Sequence, residues 1–118
     1  MNLRCLIVDD HQGFLRAARV LLESGGITVV GAVSTSREAI DLATGARPDI
    51  ALVDIMLGTE SGFDLARQLA ADPQLAGLRV VLISTHAEED FADLLALSPA
   101  VAFLPKWKLS AAAVRAVL

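Results

Sequence analysis

A single cysteine, Cys5, stands in a chain of 118 residues, which excludes an internal disulfide and a metal site built from several thiolates. It sits within a short apolar run, where the ordinary role is that of a small buried hydrophobe. Long apolar runs are missing as well, since no stretch approaches the ~18 to 20 apolar residues that a membrane span takes. The opening residues, MNLRCLIVDD, hold an apolar core too short for a secretion signal and no small-residue cleavage site, so they read as the first strand of a cytoplasmic protein. Basic residues are outnumbered, 10 Lys and Arg against 14 Asp and Glu, for a net charge of −4. Phosphate backbones are held by clustered Lys and Arg, so this balance argues against nucleic-acid binding by the chain itself, and it contains no helix-turn-helix candidate. Repeats, low-complexity tracts and linkers are absent, and the length suits one domain, residues 1–118.

What is present is apolar and ordered: 54% of residues are hydrophobic and 20% charged, the balance of a globular domain. Short apolar runs alternate with longer amphipathic segments, and Gly, Pro or polar residues stand at most joins. Strands are predicted over residues 3–8, 28–33, 49–53, 79–84 and 100–104, several too uniformly apolar to have a face in water, which implies a parallel sheet covered by helices. Residues 12–23 place Phe14, Leu15, Ala18, Leu21 and Leu22 at helical spacing, with Arg16, Arg19 and Glu23 opposite. Thr35 and Glu38 have the spacing of a capping box, so a second helix starts there and runs to about Thr44, with Ala39, Ile40 and Ala43 inward. A third helix over residues 61–71 carries Leu65, Ala66, Leu69 and Ala70 and stops before Pro73. A fourth over residues 88–97 carries Phe91, Leu94 and Leu95 before Pro99. The last starts near Ser110 and is short, as it would be in a chain cut from a longer one. Alternating strands and helices with right-handed crossovers give a doubly wound α/β sheet, whose ligands bind beyond the carboxyl ends of the strands.

Four of the five strand ends carry chemistry: Asp9 and Asp10 after the first, Asp54 at the third, Ser84 and Thr85 at the fourth, Lys106 at the fifth. Taken singly, each has an ordinary reading. Asp9 and Asp10 precede a helix and could cap it, Asp54 could be a solvated loop carboxylate, Ser84 a strand terminator, and Lys106 a surface lysine. Together on one rim they form a constellation. Close carboxylates repel, and a cation relieves them. A hard divalent cation such as Mg²⁺ prefers oxygen ligands and takes only one or two carboxylates directly, with waters and phosphate oxygens completing its shell. An Asp carboxylate can also be the nucleophile in phosphoryl transfer. Central Asp54 is then the acceptor, Asp9 and Asp10 hold metal, and Lys106 is the countercharge to phosphate.

With these residues placed, the chain resembles the receiver domain of bacterial two-component response regulators, from LIVDDH at residues 6–11 to FLPK at residues 103–106. The acidic pair, Asp54, Gly62 eight positions on, Ser84 thirty positions on, and Lys106 a further twenty-two on all match the family pattern. The resemblance implies a flavodoxin-like (βα)5 fold with five parallel strands in the order 2-1-3-4-5. It implies that Asp54 accepts a phosphoryl group from a histidine kinase or phosphotransfer protein. Mg²⁺ would be held by Asp10, Asp54 and the backbone carbonyl of Met56, with Asp9 acting through water. It further implies that Ser84 turns toward the new phosphate and Phe103 follows it inward. The fourth helix, fifth strand and fifth helix would then change as a face that binds a partner or pairs two copies. The domain is not a turnover enzyme in this reading and acts only on its own aspartate.

Departures from the family pattern set further expectations. Gly58 stands where many members have Pro, and Trp107 follows the lysine where Pro is usual; both loosen the loops beside the site. Met56 and His86 occupy positions that in the family influence phosphate hydrolysis, and Thr85 narrows access. Neither His11 nor His86 has metal-site spacing, so both read as surface histidines, and Trp107 is expected to pack on the rim. Against the signalling reading stand three others. A longer DNA-binding regulator trimmed in its last helix is decided by gene length. A phosphatase of the haloacid dehalogenase type is disfavoured because Asp54-Ile55-Met56 lacks the second Asp. A degenerate receiver that only binds proteins is disfavoured by the retained site residues.

Overall fold

In the computed structural model, which describes residues 2–118, each central strand sends alternate side chains to opposite faces of one sheet. The strands are β1 (Arg4–Val8), β2 (Thr28–Val33), β3 (Ile50–Asp54), β4 (Arg79–Ser84) and β5 (Ala102–Pro105). All pair in parallel, in the order β2-β1-β3-β4-β5. Cys5, Ile7, Ile50, Leu52, Val81 and Ile83 build one core; Leu6, Val8, Ala51, Val53, Val80 and Leu82 build the other. Both faces are dry, as expected from strands without a polar side.

Helices α1 (Gln12–Ser24) and α5 (Ala111–Ala116) cover the first core, through Leu15, Ala18 and Leu22 of one and Ala111 and Val114 of the other. Helices α2 (Ser36–Ala46) and α3 (Gly62–Ala71) cover the second, through Ala39 and Ala43, and through Phe63, Leu65, Ala66 and Leu69. Three helix starts follow from hydroxyl caps. Thr35 accepts from the Glu38 N–H, Ser61 from those of Phe63 and Asp64, and Ser110 from that of Ala113. Glu38 reaches back to the Thr35 hydroxyl at 3.0 Å and the Ser34 N–H at 3.3 Å. Those bonds, led by Thr35, hold its carboxyl below the ordinary value.

The structure departs from the sequence pattern at several points. Leu21, expected inward, is 45% exposed, and Ala70 also faces solvent. The predicted fourth helix is broken into a 3₁₀ turn (Glu88–Phe91) and a short helix, α4 (Ala92–Ala96), with no side-chain cap and no buried residue. Phe91 and Leu95 pack on the core, but Leu94 is 51% exposed. Trp107, expected on the rim, is 76% exposed and sits in a 3₁₀ turn (Lys106–Lys108) above its neighbour's ammonium.

Candidate functional site

The carboxyl ends of β1, β3, β4 and β5 open into one cavity of about 260 Å³. It is lined by Asp10, His11, Asp54, Met56, Gly58, Ser84, Thr85, His86 and Lys106. Asp9 lies beneath it, fully buried. The simple capping role is not the one taken by the acidic pair. The N-cap of α1 is His11, without a side-chain cap bond, and Asp9 Oδ1 instead accepts the His11 N–H at 2.8 Å.

Lys106 bridges the buried acids. Its Nζ lies 2.5 Å from Asp9 Oδ2 and donates to Asp54 Oδ2 at 3.1 Å. The Asp9 contact is the shorter of the two and wholly buried, so the ammonium serves as the partner of this acid. Asp54 Oδ1 accepts the Met56 N–H at 3.2 Å. Burial, then the nearby Asp9 charge, raises the Asp54 pKa above the ordinary carboxylate value, against the opposing pull of Lys106 and the Met56 N–H. Burial alone would lower the Lys106 pKa. The Asp9 contact and the charges of Asp54 and Asp9 outweigh it and raise the value, keeping the ammonium charged.

Asp9 and Asp54 share one ammonium, and Asp10 adds a third carboxylate beside them. Oxygens of Asp9, Asp10 and Asp54 and a ring nitrogen of His11 all lie within 4.8 Å of one another. The excess of carboxylate oxygens in this cluster over the single ammonium beside it fits a divalent cation of the Mg²⁺ kind. His11 belongs to this cluster, with Nδ1 3.3 Å from Asp10 Oδ1 and 3.5 Å from Asp9 Oδ1, although it is largely exposed. Sequence spacing did not reveal it, because its proximity comes from the turn out of β1 and not from a ligand repeat.

Ser84 is buried, and its Oγ accepts the His86 N–H at 3.0 Å, so the hydroxyl proton is free for another acceptor. Phe103 is half-buried against the second core, paired with Leu82 across β4 and β5, and does not line the cavity. His86 stands edge-on to Phe91, 6.0 Å between centroids. Phe14, expected only as part of the α1 core face, also lies under Lys106, whose Nζ is 4.3 Å from the ring centroid.

The loop after Asp54 folds back on itself. Met56–Leu57 and Glu60–Ser61 form an antiparallel hairpin whose turn needs the left-handed φ of +64° at Gly58. Proline, with φ near −65°, could not occupy that position. Gly62 then passes against β3. Its N–H donates to Ile55 O at 2.7 Å, and a Cβ there would fall 2.0 Å from the Asp54 carbonyl oxygen. This is the physical basis of the spacing between Asp54 and Gly62.

Residues 5–115 match the family described as the response regulator receiver domain. The chain is 31% identical over 86 residues to protein PilH of Pseudomonas aeruginosa, covering 73% of this chain and 70% of PilH. A Pseudomonas aeruginosa protein named as a transcriptional regulator is 29% identical over 103 residues, covering 87% of this chain. This chain spans only 49% of that relative's length. Among solved structures, a response regulator from Burkholderia pseudomallei with a phosphorylated aspartic acid, calcium ion and citrate superposes with a TM-score of 0.83. It is 25% identical, with 98% of this chain and 66% of that one covered.

Proposed function

The chain belongs to the response regulator receiver family of two-component systems, and from that premise we propose that Asp54 is the phosphoacceptor of a signalling switch. The observation that carries this reading is the contact of Lys106 with both buried carboxylates at the mouth of the sheet. In the transfer, an Asp54 carboxylate oxygen forms a bond to phosphorus as the phosphorus–nitrogen bond of a donor phosphohistidine breaks, and the imidazole nitrogen leaves with the electron pair. Lys106 neutralises charge on the phosphoryl oxygens, and the Met56 N–H orients the Asp54 carboxylate. A divalent cation held by Asp9, Asp10, Asp54 and the Met56 carbonyl would add the remaining positive charge when bound. The Ser84 hydroxyl donates to the new phosphate, a partner it lacks before modification, and this differential contact shifts the population. Phe103 is the aromatic that responds to it. The domain does not turn over external substrate in this reading.

The donor is a histidine kinase or phosphotransfer protein. The output face is α4, β5 and α5, where Leu94, Leu97, Val101 and Trp107 are exposed and suit a partner or a second copy. A second reading, the receiver half of a longer transcriptional regulator, is favoured by the half-length coverage of one relative; the length of the gene decides it. No described helix is long and apolar enough to cross a membrane. The test of the first reading is intact-protein mass after exposure to acetyl phosphate with and without Mg²⁺. A cation-dependent gain of one phosphoryl group in the wild type and none in Asp54→Asn is expected. Labelling of Asp54→Asn at the wild-type rate would place the acceptor elsewhere.

A further inference from the structure

We propose that Phe14 is a positioning residue for Lys106, holding the ammonium at the phosphoryl end of the cavity through its ring face; this rests on Asp54 being the acceptor. The Nζ to ring-centroid distance of 4.3 Å is inside the ~6 Å reach of a cation–π contact. The other close partners of the ammonium are Asp9 Oδ2 and Asp54 Oδ2, and the lysine side chain is only 10% exposed. Two carboxylates and an aromatic face thus enclose the charge with little water, the setting in which such a contact is strongest.

The two carboxylates are unreliable anchors during the reaction. Asp54 is esterified when it accepts the phosphoryl group, and Asp9 belongs to the cluster that would hold a cation. The ring is the partner that neither event removes. Its place is set by the fold, because Phe14 lies in the first turn of α1 and packs half-buried against the core beneath that helix. Leucine would fill the same core space without a π face. The long lysine stem would then lose its aim whenever its carboxylates were engaged.

The experiment compares wild type, Phe14→Leu and Phe14→Tyr for the rate of phosphoryl uptake from acetyl phosphate, with thermal midpoints measured in parallel. Where Phe14→Leu lowers the midpoint substantially, Phe14→Met, whose unbranched chain adapts better to an irregular space, takes its place. Uptake about threefold to tenfold slower in the ringless variant is expected, with Phe14→Tyr within about twofold of wild type. The upfield ring-current shift of the Lys106 ε-methylene protons should vanish with the ring and persist in the tyrosine variant. Wild-type uptake in the ringless variant, or a tyrosine variant as slow as the ringless one, overturns the positioning role and leaves the Asp54 reading standing. A wild-type chain that takes no label overturns both.

Discussion

Asp54 is held where its charge is costly. Burial and the Asp9 charge raise its pKa, so the folded chain binds a proton there more tightly than the unfolded chain does. Stability from this group is present below the unfolded carboxylate value and falls as pH rises through the raised folded value. Asp54→Asn is therefore expected to stabilise the fold at neutral pH, with the gain shrinking to nothing as pH drops toward about 4. Urea unfolding of both proteins across that range is the check, and an equal gain at every pH would refute the charge origin. Lys106 follows the same sense in a higher pH range. Its raised pKa keeps its contribution intact through neutral pH, to be lost only as pH climbs through its folded value in the alkaline range. Removing it strands the buried Asp9 charge, so Lys106→Ala should cost about 3 kcal/mol, measurable as a lowered urea midpoint that Mg²⁺ partly restores.

At the scale of elements, the site depends on how closely segments pass one another. Gly62→Ala drives a methyl group into the carbonyl of Asp54, and since the obstacle is backbone, a loss of about 1–3 kcal/mol is expected. The same variant should slow phosphoryl uptake, because relief requires moving the end of β3 or the start of α3. Equal stability to wild type would mean that the hairpin between them absorbs the methyl freely. Helix α4 is the contrasting case. It is short, lacks a side-chain cap and buries no residue, so its amides should exchange with solvent fastest among the helices, while those of β1, β3 and β4 persist longest. Hydrogen exchange measured by mass spectrometry tests this order. An element of low local stability at the output face is also one that a small change at Ser84 can shift.

For the whole molecule, Cys5 reports on global opening. It lies in β1, fully buried between layers, and burial pushes its pKa up to about 12. A thiol reagent should label it only as fast as the domain unfolds, and Mg²⁺ should slow labelling if the cation binds the folded state alone. Rapid labelling in native buffer would show that β1 opens locally. Much of this architecture was legible in residue order. Uniformly apolar strands imply a sheet dry on both faces, and the capping box at Thr35 and Glu38 marks a helix start, because both signals act over a few neighbouring residues. Aspartates, a serine and a lysine at strand ends likewise announced a shared rim, since parallel strands must deliver their carboxyl ends to one edge. Other features were decided by tertiary structure. The breaking of the fourth helix, the exposure of Leu21 and Trp107 and the seat of Lys106 over Phe14 all depend on segments distant in sequence. Periodicity tells which side of a helix is apolar, but only packing determines how much of that side meets a neighbour and which charge ends up against which ring.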